Sequence, residues 1–133
     1  PPGKNKKYFV YWLFHILRIF KNRDYSAVLV YEGDKRISSL LMVPAYYIWP
    51  FMSKDDLQFT YVLTHKDYRR KGIAEKAIKY GIQKKTVTNR CFWYVTDTGN
   101  TSSMKLCTKI GFELVGYGYK SKFILHLKPR ISL

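Results

Sequence analysis

The chain has 133 residues, the length of one ordinary domain, and 47% of them are hydrophobic, which is enough to form a core. This composition excludes a disordered or fibrous protein. The 24 Lys and Arg residues outnumber the 9 Asp and Glu residues, so the formal net charge is +15. Such a charge predicts an anionic partner, and composition leaves nucleic acid, an anionic membrane face and a phosphate-rich small ligand open.

The cysteines and the longest apolar run indicate the compartment and the relation to membranes. Cys91 and Cys107 are too few for a disulfide framework and have no Cys or His at metal-ligand spacing, so we expect reduced thiols, a cytoplasmic protein and no metal site. The apolar run 8–20 contains His15 and Arg18 and is shorter than the ~20 residues of a membrane-spanning helix. We therefore predict neither a transmembrane segment nor a signal peptide.

The first half of the chain predicts a helix followed by a hairpin. There is no internal repeat, low-complexity tract or linker, so we predict one domain over the whole chain. Residues 8–22 favour a helix, although a buried strand would show the same apolar pattern. The β-rich runs 25–31 and 37–43 flank turn residues 32–35 and predict a hairpin. Residues 44–56, with two Pro and four aromatic residues, predict an irregular loop that could line a pocket.

The second half alternates strands and helices. Residues 57–64 predict a strand, and residues 73–83 predict a helix because their isoleucines recur at helical spacing. Residues 91–96 predict the next strand, residues 102–109 a short helix ended by a glycine, and residues 112–127 two more strands. This order predicts an α/β fold whose central sheet is mixed, mostly antiparallel and twisted, with helices flanking it.

A basic loop separates the strand at residues 57–64 from the helix that follows. The loop carries Arg69, Arg70 and Lys71, and Gly72 stands where the helix begins. The first N–H groups and the positive end of the helix dipole point into such a turn, and a glycine lets a phosphate approach without a Cβ in the way. A pyrophosphate would fit this turn, although the spacing matches neither the Walker loop nor the paired-glycine dinucleotide motif.

Two motifs in a fixed order carry a family resemblance. The first, Q/R-x-x-G-x-G/A, is matched by Arg69, Gly72 and Ala74. The second, downstream motif, roughly N-x-x-S-x-x-L-Y-x-K-x-G-F, is matched by Asn100, Ser103, Leu106, Lys109, Gly111 and Phe112. With these two motifs, the sequence resembles the GNAT superfamily of acetyl-CoA-dependent N-acyltransferases over about residues 25–127. The resemblance implies a single GNAT-like domain that transfers an acetyl group directly from acetyl-CoA to a primary amine.

The resemblance also implies where acetyl-CoA binds. In such enzymes the strand before the phosphate loop has a bulge, and its free backbone groups pair with the pantetheine arm; here they belong to Val62, Leu63 and Thr64. One such N–H also polarises the thioester carbonyl. Asn100 would hold the pantetheine at the other wall, and Ser103 is assigned to the same cofactor site. The pyrophosphate would lie on the phosphate loop, formed by Arg69, Arg70, Lys71, Gly72, Ile73 and Ala74.

Both proton-transfer positions depart from the family's common pattern. Many members have a tyrosine, the usual general acid, where this sequence has Cys107. A thiol with an ordinary pKa of about 8.5 can donate a proton, and a buried helix residue is the alternative interpretation. Many relatives use a carboxylate on the strand before the phosphate loop as the base; Asp56 is the candidate here, against a turn residue or a water relay. His65 follows the strand and is interpreted as a surface residue.

A weaker resemblance concerns the acceptor. Residues 51–74 and the run 116–122 look similar to acetyltransferases of bacterial surface-polysaccharide pathways, which acylate amino sugars carried on nucleotides. A nucleotide sugar would suit the charge, and four aromatic residues would suit a sugar or base platform, with packing under the loop as the alternative. The other acceptors considered are a protein N-terminus, lysine, polyamine or antibiotic, of which polyamines are disfavoured by the few acidic residues. The four aromatics are Tyr46, Tyr47, Trp49 and Phe51.

The resemblance leaves an expectation about completeness and two alternatives to an active enzyme. The family normally has a further strand and helical material before the hairpin, so we expect one sheet edge or part of the acceptor site to be incomplete. One alternative binds coenzyme A without catalysis. The other is a nucleic-acid-binding module without a recognised motif, in which scattered cations contact phosphates. Those cations are Lys4, Lys6, Lys7, Arg69, Arg70, Lys71, Lys84, Lys85, Arg90, Lys120 and Lys122.

Overall fold

The computed structural model describes residues 6–119 and 130–132. Helices and strands alternate there as the sequence predicts for an α/β fold. The α-helices are α1 (Lys6–Ile16), α2 (Ile73–Lys85) and α3 (Thr101–Ile110), and a short 3₁₀ turn covers Lys66–Tyr68. The strands are β1 (Ser26–Glu32), β2 (Lys35–Pro44), β3 (Leu57–Thr64), β4 (Phe92–Tyr94), β5 (Tyr117–Tyr119) and β6 (Arg130–Ser132).

Four of these strands form the main sheet, in the order β1-β2-β3-β4. The pairs β1–β2 and β2–β3 are antiparallel, whereas β3 and β4 are parallel because α2 crosses between them. The prediction of a mixed, mostly antiparallel sheet flanked by helices is therefore confirmed. Strands β5 and β6 form a separate antiparallel pair.

Two predicted boundaries differ from the structure by more than two residues. The helix predicted over 8–22 ends at Ile16, because Arg18 adopts a left-handed φ of 57° and the chain turns back, where the N–H of Lys21 donates to the carbonyl of Ala45 at 2.8 Å. The strand predicted from residue 112 is wrong over 112–116, which are irregular, and β5 begins only at Tyr117. Residues 120–127 of that prediction lie outside the described residues.

The sheet separates two hydrophobic clusters. Successive side chains of a strand point to opposite faces, so Leu40 and Met42 of β2 face α2 while Leu41 and Val43 face α1. Helix α2 packs close to the sheet at Gly81, where an added Cβ would lie 2.9 Å from the sulfur of Met42. The cluster on the α1 side, here called the aromatic cluster, consists of Tyr8, Phe20, Leu41, Val43 and Tyr46.

A bulge interrupts β3. Its register against β2 shifts, so that Tyr61 and Val62 together stand opposite the single residue Leu40. Tyr61 has a left-handed φ of 48°, as one residue of a bulge often does. Within the described residues β4 pairs with β3 only over Leu57–Phe59, so the two parallel strands share a ladder before the bulge and none beyond it. The bulge expected in this strand is thus present, at Tyr61 and Val62.

Candidate functional site

A cleft of about 770 Å³ opens between the start of α2 and the side of α3. It lies beyond the end of β3, where the basic loop leads from the sheet into α2. The α3 side contributes Ser102, Lys105, Leu106 and Lys109. The sheet and loop side brings together six of the residues predicted for the cofactor site, namely Thr64, Arg69, Arg70, Gly72, Ile73 and Ala74.

The backbone at the start of α2 is shaped to receive an anion. Gly72 caps the helix in a left-handed conformation, with φ 73° and ψ 9°, and Arg70 is also left-handed with φ 59°. Left-handed residues in such a turn direct successive N–H groups into one concavity, and the first N–H groups of any helix have no acceptor within it. A Cβ added to Gly72 would meet no atom within 4 Å, so it would project into the open cleft. A phosphate group fits this space.

The charges in the cleft favour an anion as well. Among the described residues that line it, the only acidic one is Glu75, whose carboxylate lies 2.7 Å from the Nζ of Lys109 and 2.8 Å from the Nζ of Lys79. The ammonium group of Lys109, which has the larger effect, and that of Lys79 lower the pKa of the Glu75 carboxyl to about 2. The ion pair with Lys109 joins α2 to α3 beside the cleft. The cations that line it are Lys66, Arg69, Arg70, Lys105 and Lys109.

Lys71 lies outside this lining, against the 3₁₀ turn. Its Nζ is 5.1 Å from the ring centroid of Tyr68, and the Nζ of Lys35 is 5.2 Å from the same centroid. The hydroxyl of Tyr68 donates a hydrogen bond to Glu32. These contacts attach the phosphate loop to the β1–β2 hairpin, so the side chain of Lys71 contributes to holding the loop in place.

The end of β3 was predicted to offer free backbone groups, and two of its carbonyls are already engaged. The hydroxyl of Ser38 donates to the carbonyl of Leu63 at 2.9 Å, and Arg69 Nε donates to the carbonyl of Thr64 at 3.1 Å. The side chain of Val62 packs against the cluster under α2. A pantetheine arm bound here has the N–H groups of this edge available, and each of the two carbonyls keeps a second lone pair with which to accept a hydrogen bond.

Asn100 and Gly111 of the second motif define the two ends of α3. Asn100 is the N-cap, and its Oδ1 accepts a hydrogen bond from the N–H of Ser103 at 3.1 Å. Gly111 ends the helix with φ 104°, and its N–H bonds to the carbonyl of Cys107. Asn100 and Ser103 do not line the cleft, whereas the neighbouring Ser102 does. Their predicted contact with the cofactor stays a prediction.

Cys107 lies on α3 beside Tyr94, one residue after Leu106 of the cleft wall. Burial raises the pKa of its thiol to about 11, so the group is protonated at neutral pH. Burial also raises the pKa of the Tyr94 hydroxyl, and the side chain of Ser103 opposes that shift. Sequence patterns gave no reason to single out Tyr94, since an aromatic residue in a strand is ordinarily core.

Asp56 lies at the other end of β3 and is buried. Its Oδ2 accepts hydrogen bonds from the N–H of Ser53 and from Trp93 Nε1, both at 2.8 Å, and its Oδ1 accepts from the N–H of Cys91 at 3.0 Å. The carboxylate thereby holds the loop before β3 onto the start of β4. Its role as the general base stays a prediction. A proton taken up by this carboxylate would compete with the hydrogen bonds from these three donors.

Two remaining predictions concern side chains near the sheet ends. His65 is exposed and lies 3.4 Å from the carboxylate of Asp67, as expected of a surface residue. A platform made of all four loop aromatics is wrong, because Tyr46 is 4% exposed and packs against Phe20 within the aromatic cluster. Tyr47 is exposed in the same loop.

The described residues contain neither a candidate metal site nor a candidate membrane-spanning helix. Among residues 6–119 and 130–132, no group of three or more His, Cys, Asp or Glu side chains could hold a metal ion. In that same part of the chain, no helix has the length and apolar character needed to cross a membrane.

The cleft residues Lys105 and Glu75 were not predicted. Lys105 precedes Lys109 by four residues, and that spacing puts both on one face of α3. The signal in the sequence was therefore present for Lys105. For Glu75 it was not, because the pairing with Lys109 depends on how α2 and α3 pack.

Solved structures with similar folds include several N-acetyltransferases. The aminoglycoside N-acetyltransferase AAC(6')-Iy in complex with CoA superposes with a TM-score of 0.66 at 16% identity, covering 90% of this chain and 95% of that one. The ribosomal-protein-S18-alanine N-acetyltransferase from Escherichia coli gives 0.59 at 13% identity, covering 77% of this chain, which spans only 61% of that enzyme. The ribosomal-protein-alanine N-acetyltransferase from Brucella melitensis biovar Abortus 2308 gives 0.57 at 14% identity, covering 87% and 88%.

The comparison with protein families agrees with the fold, whereas no curated protein sequence matches the chain significantly. Residues 3–112, most of the chain, match the model of the acetyltransferase (GNAT) family. Together with the four-stranded mixed sheet and its flanking helices, this match confirms the resemblance carried by the two motifs. The chain therefore belongs to the GNAT family of acetyltransferases.

Proposed function

We propose that this chain transfers the acetyl group of acetyl-CoA to a primary amine, with the pyrophosphate of coenzyme A bound in the cleft at the start of α2. The observation that carries the proposal is the left-handed Gly72 at the helix start, facing an open cleft of about 770 Å³ lined by cations. Backbone N–H groups and the helix dipole would bind the diphosphate oxygens, and Lys105 and Lys109 would approach them from α3.

The rest of acetyl-CoA would follow the edge of β3 that β4 leaves unpaired. Strand β4 pairs only with Leu57–Phe59, and the bulge at Tyr61 and Val62 turns the strand beyond that point. N–H groups of Val62, Leu63 and Thr64 are proposed to meet the pantetheine arm and to polarise the thioester carbonyl. Asn100 and Ser103 are proposed for the opposite wall, where Asn100 begins α3.

The transfer itself needs two proton movements. The amine nitrogen attacks the thioester carbonyl carbon, a C–N bond forms, and the C–S bond breaks to release the coenzyme A thiolate. A base takes the proton that the attacking nitrogen loses, and an acid returns a proton to the sulfur. Cys107 is proposed as the acid, supported by its place on α3 next to Leu106 of the cleft wall and by a thiol that is protonated at neutral pH. Asp56 is the candidate base.

The acceptor is proposed as a primary amine. Enzymes with similar folds include a ribosomal-protein-S18-alanine N-acetyltransferase and an aminoglycoside N-acetyltransferase, so the fold accommodates unlike amines. The amino sugar of a nucleotide remains our specific hypothesis for this chain, supported by its formal charge of +15. An acceptor screen should therefore contain an amino-sugar nucleotide, an alanine-initiated peptide and an aminoglycoside.

The donor site is tested by thermal unfolding with acetyl-CoA. At about 100 times its dissociation constant, selective binding to the folded state should contribute ~2.7 kcal/mol, which raises the melting temperature by several degrees. Gly72→Asp should abolish this shift, because it adds a Cβ and a carboxylate at the proposed phosphate position. Gly33→Asp is the matched control, since Gly33 is also left-handed and also has open space beside it, in the β1–β2 turn.

Equal shifts for both aspartate variants would refute the proposed phosphate site. A DNA oligonucleotide of matched charge separates this proposal from nucleic-acid binding: if it stabilises the protein as much as acetyl-CoA does, the net charge alone explains the effect. Release of the coenzyme A thiol in the presence of the acceptor panel then distinguishes an enzyme from a chain that only binds coenzyme A.

A further inference from the structure

The outer face of α1 is apolar and open. Tyr8, Tyr11 and Phe14 attach the opposite face to the aromatic cluster, with the Tyr8 hydroxyl 3.0 Å from Ser39 Oγ. This attachment fixes which side of the helix points outward. The outward residues follow helical spacing without an intervening polar side chain: Phe9, Val10, Leu13, Ile16 and Leu17.

The exposure of this face is large for a helix of this length. Phe9, Val10, Ile16 and Leu17 are 48%, 45%, 52% and 59% exposed. The ring of Phe9 lies 5.6 Å from that of Trp12, so aromatic surface borders the aliphatic side chains. Contiguous exposed apolar patches of this kind mark binding surfaces rather than scattered surface residues. We call these five outward residues the α1 patch.

The charges around the α1 patch select among its partners. Residues 1–23 contain six Lys and Arg and no Asp or Glu, the first acid being Asp24. Exposed cations stand at both ends of the patch, with Lys6 before it and Arg18 and Lys21 after it. An antiparallel pairing of two such helices would bring Lys6 of one copy toward Arg18 of the other with no acid between them, which disfavours a second copy as the partner.

We propose that the α1 patch binds the surface of an anionic lipid bilayer. The apolar side chains would enter the boundary between headgroups and acyl chains, and the flanking cations would contact the anionic headgroups. Aliphatic side chains in the middle of the patch suit acyl chains, whereas nucleic acid would call for polar or stacking groups there. The helix lies on the bilayer in this arrangement and does not cross it. The proposal is independent of acetyl transfer, since it uses α1 alone.

The proposal is tested by cosedimentation of the full chain with lipid vesicles. Equimolar phosphatidylcholine and phosphatidylglycerol provide an anionic surface, and phosphatidylcholine alone provides a neutral one. We expect the protein to pellet with anionic vesicles only. The double substitution Val10→Gln/Leu17→Gln should lower the partition coefficient at least about tenfold, because it removes two half-exposed apolar side chains from the contact while leaving the charge unchanged.

The matched control is Leu114→Gln/Val115→Gln, which replaces two side chains that are 69% and 60% exposed but lie elsewhere on the surface. Its partition coefficient should stay within about twofold of the original value. Equal binding by the original protein and both double variants would overturn the proposal in favour of non-specific attraction by the net charge. Absence of binding to anionic vesicles would overturn it outright.

Two further measurements examine other occupants of the patch. Sedimentation equilibrium of the original chain and of Val10→Gln/Leu17→Gln reveals a second copy: a dimer that becomes a monomer on substitution would overturn the lipid proposal. Thermal unfolding reveals cover by the chain itself, because the α1 variant would then melt well below the Leu114→Gln/Val115→Gln control. A monomer in both cases, with equal melting temperatures, supports lipid as the occupant.

Discussion

The two ends of β3 differ in what surrounds them. At its start, Leu57 and Phe59 are fully buried and the strand pairs with β2 on one side and β4 on the other. At its end, Leu63 is half exposed, β4 no longer accompanies the strand, and a basic loop leads into the cleft. The bulge at Tyr61 lies between the two environments. One strand thus supplies both a fixed anchor and an open edge.

The carboxylates near the two ends show the same contrast. Asp56 is buried and accepts hydrogen bonds from neutral groups of the loop and of β4. Glu75 beside the cleft pairs with the ammonium groups of Lys79 and Lys109. Removal of the first should therefore affect mainly folding, whereas removal of the second should affect mainly anion binding. The surroundings of a carboxylate therefore distinguish one that stabilises the fold from one that influences the cleft, in a chain with only 9 Asp and Glu residues.

The largest effect is expected for Asp56→Asn. The amide can accept at one oxygen only, so at least one of the donors from Ser53, Cys91 and Trp93 faces an NH₂ group. We expect a loss of roughly 2–3 kcal/mol in the free energy of unfolding, measured by urea denaturation. Asp55→Asn is the control, because that neighbouring side chain is exposed. A change as small as that of the control would contradict the anchoring role.

Turnover of Asp56→Asn decides whether the residue is also the base. The assay is run at a temperature where the variant remains folded, with whichever amine the acceptor panel identifies. Loss of turnover with unchanged affinity for acetyl-CoA would support Asp56 as the base. Full turnover would leave it with the anchoring role alone, and a water relay would then be the remaining route for the proton.

A smaller effect is expected for Glu75→Gln. Removing this charge from the first turn of α2 frees Lys109 and makes the cleft more positive. Affinity for adenosine 3′,5′-bisphosphate should rise about two- to fivefold, as is typical of a charge at a helix N-terminus. Isothermal titration at two salt concentrations would measure it, with the exposed Glu113→Gln as control. Equal affinities in both variants would locate the phosphate away from α2.

A further effect concerns the pH dependence of stability through Cys107. Burial raises the pKa of the folded thiol to about 11, above the ordinary thiol value of about 8.5. Between these values the unfolded chain loses the proton while the folded chain keeps it, so the free energy of unfolding falls as pH rises. Cys107→Ala should remove this part of the decline, measured by urea denaturation across that pH range. Cys91→Ala, which removes an exposed thiol, is the control; identical pH profiles for both variants would contradict the burial of Cys107.

Prediction from sequence was most successful for local features. The strand at residues 57–64, the hairpin before it and the glycine that ends α3 were all predicted correctly, because each depends on alternation, turn chemistry or capping within a few residues. It was least successful where the chain depends on distant partners. The loop aromatics offered no sign that Tyr46 packs under α1, since its partners Phe20 and Tyr11 lie more than twenty residues away.

The site shows the same division. Gly72 and the basic loop could be predicted as a candidate phosphate site, because the helix start and its glycine are adjacent in the chain. The spacing of Lys105 and Lys109 places both on one face of α3, but that this face forms a wall of the cleft could not be predicted, since it depends on how α3 packs against α2. Two of the three donors to Asp56 likewise come from distant residues, namely Cys91 and Trp93, which lie 35 and 37 residues further along the chain.

The sequence by itself determined the order of helices and strands, the positive charge and the two motifs that identify the family. Those properties reside in residue types and short spacings, which survive without a folded chain. Only the tertiary structure decided which carboxylate is buried, which cations line the cleft and which face of α1 remains open. Each of these depends on side chains brought together from distant parts of the chain, and hydrophobic periodicity specifies that a face will be covered but not by which residues.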